Sequence, residues 1–264
     1  MADVLLEVEA LTKRFGGVTA SDAISFAVPT GELHAIIGPN GAGKTTLIGQ
    51  LTGEIAPDGG RIVFDRRDIT MLPVYRRSQL GLARSFQITS LFADLTARDN
   101  AALAVQAHAG HSFRFWRDAR SEPALRRPAQ AALERLGLAA RADMLVADLS
   151  HGERRQLEIA MALVTEPRLL LLDEPMAGMG PDESSRLVET LRRLKGGLTI
   201  ILIEHDLDAV FALADRISVL VYGRIIATGD AAAIKSDPAV RQAYLGEQAY
   251  LGEQERAAQG TPHG

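Results

Sequence analysis

The chain has 264 residues, 47% hydrophobic and 23% charged, enough for one large domain or a domain with an insertion, and unlike a disordered or fibrous chain. A formal net charge of -4 argues against a general nucleic-acid coat. Cysteine is absent, which excludes disulfides, thiolate zinc sites and cysteine nucleophiles together.

In chain order, MADVLLEVEA lacks the basic segment, apolar core and cleavage site of a signal peptide, so none is expected. LLEVEALTKRFGG and AISFAVPTGELHAIIGPNG read as short strands separated by turns, the last running into a Gly-rich loop. TTLIGQLTG predicts a helix closed by Gly53, and RIVFDRRDI another short strand, followed by GLARSFQ. From about 88 to 161 the pattern turns Ala-rich, Arg-rich and helical. RLLLLDE and LTIILIEHD then predict buried strands separated by the helix SSRLVETLRRLKG, as a parallel sheet needs, and RISVLVYGRIIATG a closing hairpin turning at Gly223.

The expected fold class is α/β, a P-loop NTPase core with a small antiparallel β portion and an inserted helical subdomain. Residues 1–87 and 162–235 would form the core, 88–161 the insertion, and 236–264 a tail containing the direct repeat AYLGEQAYLGEQ at 243–254, read first as a harmless duplication. LTIILI at 198–203 has strand length, far short of a membrane span, so membrane contact is expected through a partner. FRFWR at 113–117 reads first as a partly exposed helix edge, with membrane-surface or partner contact as the alternative.

The residues Gly38, Pro39, Asn40, Gly41, Ala42, Gly43, Lys44 and Thr45 spell G-x-x-x-x-G-K-[ST] between a strand and a helix, where the phosphate-binding mechanism needs it. The loop amides would wrap the α and β phosphates, Lys44 would reach the β and γ phosphates, and the Thr45 hydroxyl would bind Mg²⁺. Asp173 and Glu174 end an apolar strand, where a magnesium carboxylate and a water-activating carboxylate are wanted. Asp173 is assigned to the Mg²⁺ sphere and Glu174 to the attacking water as general base. Gln87, where the core gives way to the helical segment, offers a neutral amide that can orient water and contact the metal. His205 follows a strand and can donate to the γ-phosphate; a lone His there is more often a structural cap, so its weight comes from its neighbours in the motif order. In LSHGERRQLEIA, Ser150 and Glu153 have capping-box spacing, and the helix start offers donors to an anion without a lysine.

This order of loop, Gln87, Ser150-His-Gly-Glu, Asp173-Glu174 and His205 resembles the nucleotide-binding subunit of an ATP-binding cassette (ABC) transporter, over about residues 5 to 250. The likeness implies an ATPase with ATP and Mg²⁺, working as two subunits packed head to tail. Ser150 and the amides of Gly152 and Glu153 would then complete a neighbour's γ-phosphate site. It also implies nucleotide contacts for Thr46 and an adenine stack on Phe15. Two departures stand out: His151 occupies a usual glycine of the signature, and Gly180 the usual D-loop aspartate, for which Asp182 is not an obvious substitute.

RFGGVTA, AGMGPDE, IEHDLDAVFALADRISVL and the YLGE tail are similar to ATP-binding subunits of branched-chain amino-acid importers and of relatives for urea, amides or small organic acids. The resemblance implies integral membrane permease subunits as partners, docking on the insertion at roughly 88 to 100. It further implies a second ATP-binding subunit, self or paralogue, and indirectly a periplasmic or extracellular solute-binding protein. The chain would sit on the cytoplasmic face of a bacterial membrane and bind no nucleic acid. The alternative is a soluble ABC ATPase of protein or cluster assembly.

Overall fold

Two long strands, β1 (Val4–Phe15) and β2 (Val18–Pro29), open the chain as an irregular antiparallel pair in the computed structural model, which describes residues 3–85, 91–109 and 122–243. The strand β3 (Leu33–Ile37) feeds the Gly-rich loop and then helix α1 (Lys44–Thr52), which Gly53 ends in the left-handed conformation at φ 87°. RIVFDRRDI, expected as one strand, is a hairpin instead: β4 (Gly59–Phe64) turns at Asp65 and Arg66 into β5 (Arg67–Asp68). Both turn residues have positive φ, which suits the twist of a two-residue hairpin, but Arg66 stands where glycine would have signalled it.

Next come α2 (Val74–Gln79) and β6 (Leu82–Arg84), the latter inside GLARSFQ. Helices α3 (Ala97–Ala109), α4 (Pro123–Arg135) and α5 (His151–Leu163) pack on one another, with no named strand among the described residues between Leu91 and Leu163. The chain then alternates through β7 (Leu169–Asp173), α6 (Pro181–Leu194), β8 (Thr199–Ile203) and α7 (Leu207–Leu213), and closes with β9 (Arg216–Val221), β10 (Arg224–Gly229) and α8 (Ala231–Ser236).

β2-β1-β4-β5 make one antiparallel sheet, and β10-β9-β3-β8-β7-β6 a second in which only β10 runs antiparallel to its neighbour. Alternation decides which face each strand residue meets. Leu169, Leu171, Ile201 and Ile203 pack with Leu47, Ile48 and Leu51 of α1 and with Leu6, Leu11 and Phe64 of the first sheet, so α1 lies between the sheets. Leu170, Leu172, Ile200 and Leu202 meet Leu133, Leu157, Leu187 and Leu191 on the other face. Burying each such side chain contributes about 1.5–3 kcal/mol. Val240, beyond α8, is buried with Ile217, Val219 and Ile234, so the start of the tail lies against the core. Asp173 and Ile36 both pair with Ile203, which brings the carboxyl ends of β3, β7 and β8 to one edge.

Candidate functional site

At that edge the 38–45 loop is shaped by close backbone approach. A side chain at Gly38 would put its Cβ 2.0 Å from the Leu220 carbonyl oxygen; Gly43, at φ 106°, has the Ala20 oxygen 2.3 Å from the same position. Only glycine is compatible with both places. Lys44 is nine-tenths buried and its Nζ donates to the carbonyls of Gly38 (2.6 Å) and Pro39 (3.0 Å), so the ammonium is held over the loop. Thr45 is exposed and Thr46 half-buried in the first turn of α1, whose amides and dipole favour an anion; Asn40 and Gly41 are exposed at the loop tip. Phe15, 50% exposed, lies on the hairpin that touches the loop at Ala20, with the Lys13 ammonium 5.4 Å from its ring centre.

Asp173 ends β7 almost fully buried. Burial pushes its carboxyl above the ordinary range even though Arg84 donates to Oδ2 at 3.0 Å. Glu174, next in chain, has φ 45°, a conformation that costs a non-glycine residue about 1 kcal/mol and persists because its N–H donates to the Ile203 carbonyl at 2.9 Å. The side chain of Glu174 stays partly accessible. His205 has its side chain 64% exposed, and its Nδ1 is 3.7 Å from Glu204, beyond hydrogen-bond reach, so this neighbour does not fix the ring against turning to a ligand.

Glu204 was not singled out from sequence. It is fully buried, accepts from the Met176 N–H (2.8 Å) and the His205 N–H (3.1 Å), and thereby ties the turn after Glu174 to the loop carrying His205; burial raises its carboxyl. Its signal was an acid in an otherwise apolar strand end, TIILIE. Arg84 at the end of β6, Arg155 on α5 and Glu183 on α6 were missed as well, since charged residues on helices and strand ends read as solvated faces until their partners are seen.

The start of α5 forms a second anion-favouring place. Ser150 Oγ accepts from the Glu153 N–H at 3.2 Å and Glu153 accepts from the Ser150 N–H at 2.9 Å, a complete capping box steadied by Arg141. The Ser150 hydroxyl donates to Glu183 Oε1 at 3.0 Å, and a Cβ on Gly152 would come within 2.7 Å of the same carboxyl group. Glu183 therefore lies over the helix N-terminus, in a cleft of about 300 Å³ that also includes Arg141, Gln156 and Arg186 but no residue of the 38–45 loop. His151 donates from Nε2 to the Ala177 carbonyl at 3.2 Å, so the imidazole in the signature glycine's place packs on the AGMG turn. Gly180 caps α6 without a side-chain hydrogen bond, in open space. Gln87, residues 113–117 and the repeat from residue 244 onward lie outside the described residues.

The donor set suits Mg²⁺. Among the described residues no three His, Cys, Asp or Glu side chains converge as a protein-only cage. A hydroxyl (Thr45) and one carboxylate (Asp173) beside a phosphate loop are the hard oxygen donors that Mg²⁺ uses together with substrate phosphates.

Fold and site define a P-loop ATPase with a helical insertion. The chain belongs to the ABC transporter family, which residues 21–177 match, and residues 224–249 match the family described as branched-chain amino acid ATP-binding cassette transporter. It is 39% identical over 256 residues, 94% of this chain and 100% of the relative, to the high-affinity branched-chain amino acid transport ATP-binding protein LivG of Salmonella typhimurium. With BraF of Pseudomonas aeruginosa, a protein of the same description, it shares 38% over the same fractions. Among solved structures, the ADP conformation of MJ1267, an ATP-binding cassette of an ABC transporter, matches with a TM-score of 0.82 at 33% identity, covering 92% of this chain and 99% of that one. The chain is thus an ABC ATPase of the branched-chain amino-acid branch.

Proposed function

We propose that this ATPase energises an importer of branched-chain amino acids or related small polar or organic-acid solutes. The observation that carries the reading is the meeting, at one sheet edge, of the Lys44 loop with Asp173, Glu174 and His205 in a chain similar to LivG and BraF over nearly its whole length. Lys44 leaves the loop carbonyls for the β and γ phosphates, Thr45 and Asp173 hold Mg²⁺, and Glu174 takes a proton from the attacking water. His205 donates to the γ-phosphate. Bound Mg²⁺ supplies charge neutralisation on the phosphates.

A second cassette packs head to tail, and its α5 start, with Ser150 and the amides of Gly152 and Glu153, closes over the γ-phosphate. ADP would leave those donors unmatched, so closure lasts while ATP is intact. A groove of about 390 Å³ between α2 and the α3–α5 bundle, walled by Val74, Tyr75, Leu82, Leu91 and Met161, receives a permease segment and holds the chain at the cytoplasmic membrane face. The test is uptake of radiolabelled leucine into membrane vesicles carrying the assembled transporter. Lys44→Ala should abolish ATP-driven uptake with assembly intact, and undiminished uptake would refute the reading.

A further inference from the structure

Charged side chains run from the groove to the carboxyl ends of the central strands. Arg84, the last residue of β6, lies between Glu54 and Asp173: Nη1 donates to Glu54 Oε2 at 2.7 Å and Nη2 to Asp173 Oδ2 at 3.0 Å. Arg155 on α5 repeats the layout, donating to Glu158 Oε2 at 2.7 Å and to the carbonyls of Asp173 (2.6 Å) and Glu174 (3.2 Å). Glu54, Arg84 and Glu158 line the groove; Asp173 and Glu174 belong to the catalytic edge. Arg84 Nε and Glu158 Oε1 are also buried without a hydrogen-bond partner among the described residues, as are few polar atoms in a folded chain, and a segment seated in the groove could satisfy them.

We propose that Arg84 is a positioning residue through which the groove sets how strongly Asp173 binds Mg²⁺. A guanidinium 3.0 Å from a carboxylate competes with any other cation for it. While Glu54 shares the guanidinium, Asp173 is only partly neutralised. A basic group of the partner that draws Glu54 away leaves Arg84 to Asp173 alone and weakens its hold on Mg²⁺. An acceptor placed on Arg84 Nε pulls the other way. Groove occupancy is thereby read at the metal carboxylate, beside any link through Gln87. The inference rests on the proposed permease groove and on Asp173 as the metal ligand, yet its test needs only the isolated chain, so failure of docking and failure of the relay are separable.

The experiment measures the Mg²⁺ concentration for half-maximal ATPase, and the affinity for a fluorescent ATP analogue in Mg²⁺ and in EDTA. The proteins are wild type, Glu54→Gln, Arg84→Lys and the double variant. Glu54→Gln should raise the half-saturating Mg²⁺ about threefold and leave the affinity in EDTA unchanged, the size of a modest side-chain coupling. A lysine keeps the charge but not the fork that spans two carboxylates, so in the Arg84→Lys background Glu54→Gln should add nothing. An equal effect of Glu54→Gln in both backgrounds, an equal change with and without Mg²⁺, or no change overturns the proposal. Should Arg84→Lys fail to fold, Glu54→Arg, which repels the guanidinium toward Asp173, must raise the Mg²⁺ requirement beyond that of Glu54→Gln; an equal or smaller effect likewise overturns it.

Discussion

Replacing Arg77 with methionine should weaken the nucleotide-binding core without touching the nucleotide. Arg77 lies on α2, 1% exposed, and among the described residues its guanidinium meets only carbonyls: Leu72, Gln50, Leu51 and Thr70, at 2.7–2.8 Å. Gln50 and Leu51 stand in the last turn of α1, where carbonyls lack partners within the helix and the dipole is negative, so a buried cation is well placed there. Burial pushes the guanidinium down to about 10, which leaves it charged at neutral pH. Methionine keeps the apolar stem and deletes all four bonds. A buried carbonyl left without a partner costs about 1 kcal/mol at the low end, so the gross loss is about 4 kcal/mol. Relief from burying a charge offsets part of it, leaving a net loss of about 2–3 kcal/mol. For a chain of this size that is a fall in Tm of about 5–10 °C by calorimetry. Arg77→Lys, with one ammonium to serve four scattered acceptors, should fall between the two. A Met variant that melts within about 1 °C of wild type would refute the reasoning.

Phe15→Ala should raise KM for ATP about tenfold, the worth of one aromatic–base stack, with kcat within about twofold; an unchanged KM removes Phe15 from the adenine site. Glu183→Ala takes a carboxylate from the place on the α5 start where a neighbour's γ-phosphate would bind, so in a hydrolysis-blocked background half-maximal dimer formation should need about five- to tenfold less ATP. A titration superimposable on that of the parent would show that the Ser150 contact does not compete. Burial raises the carboxyl of Glu158 against the lowering influence of Arg155. A raised folded value means a stability contribution present below the ordinary carboxylate range and lost as pH rises through the raised value. The urea midpoint of Glu158→Gln relative to wild type should therefore improve between about pH 4 and pH 7, and a pH-independent difference would contradict this.

Much of this molecule is legible in its sequence. The apolar runs LLLLD and TIILI became central strands because four or five consecutive apolar or β-branched residues, buried on both faces, have little alternative in a parallel sheet. The Gly-rich loop was legible because Gly38 and Gly43 meet backbone oxygens that no side chain could tolerate. What escaped depends on contacts distant in sequence. The Asp65–Arg66 turn carries no glycine to mark it, and β6 is three residues long and takes its identity from pairing with β7. Arg84 sits 89 residues from Asp173, and Glu183 33 residues from Ser150, so neither pairing has a periodic signature. His151 shows the complement: a departure visible in sequence whose accommodation, on the Ala177 carbonyl, is visible only in three dimensions.

The head-to-tail nucleotide sandwich is tested most directly by the mass in solution of Glu174→Gln, measured by light scattering with ATP and Mg²⁺ and again with ADP. Blocking hydrolysis should trap a dimer of the 28.4 kDa chain with ATP and leave a monomer with ADP. A monomer in both, with ATP binding verified, or a dimer that forms equally with ADP, would contradict the assignment of the Ser150 helix to a second subunit's phosphate site.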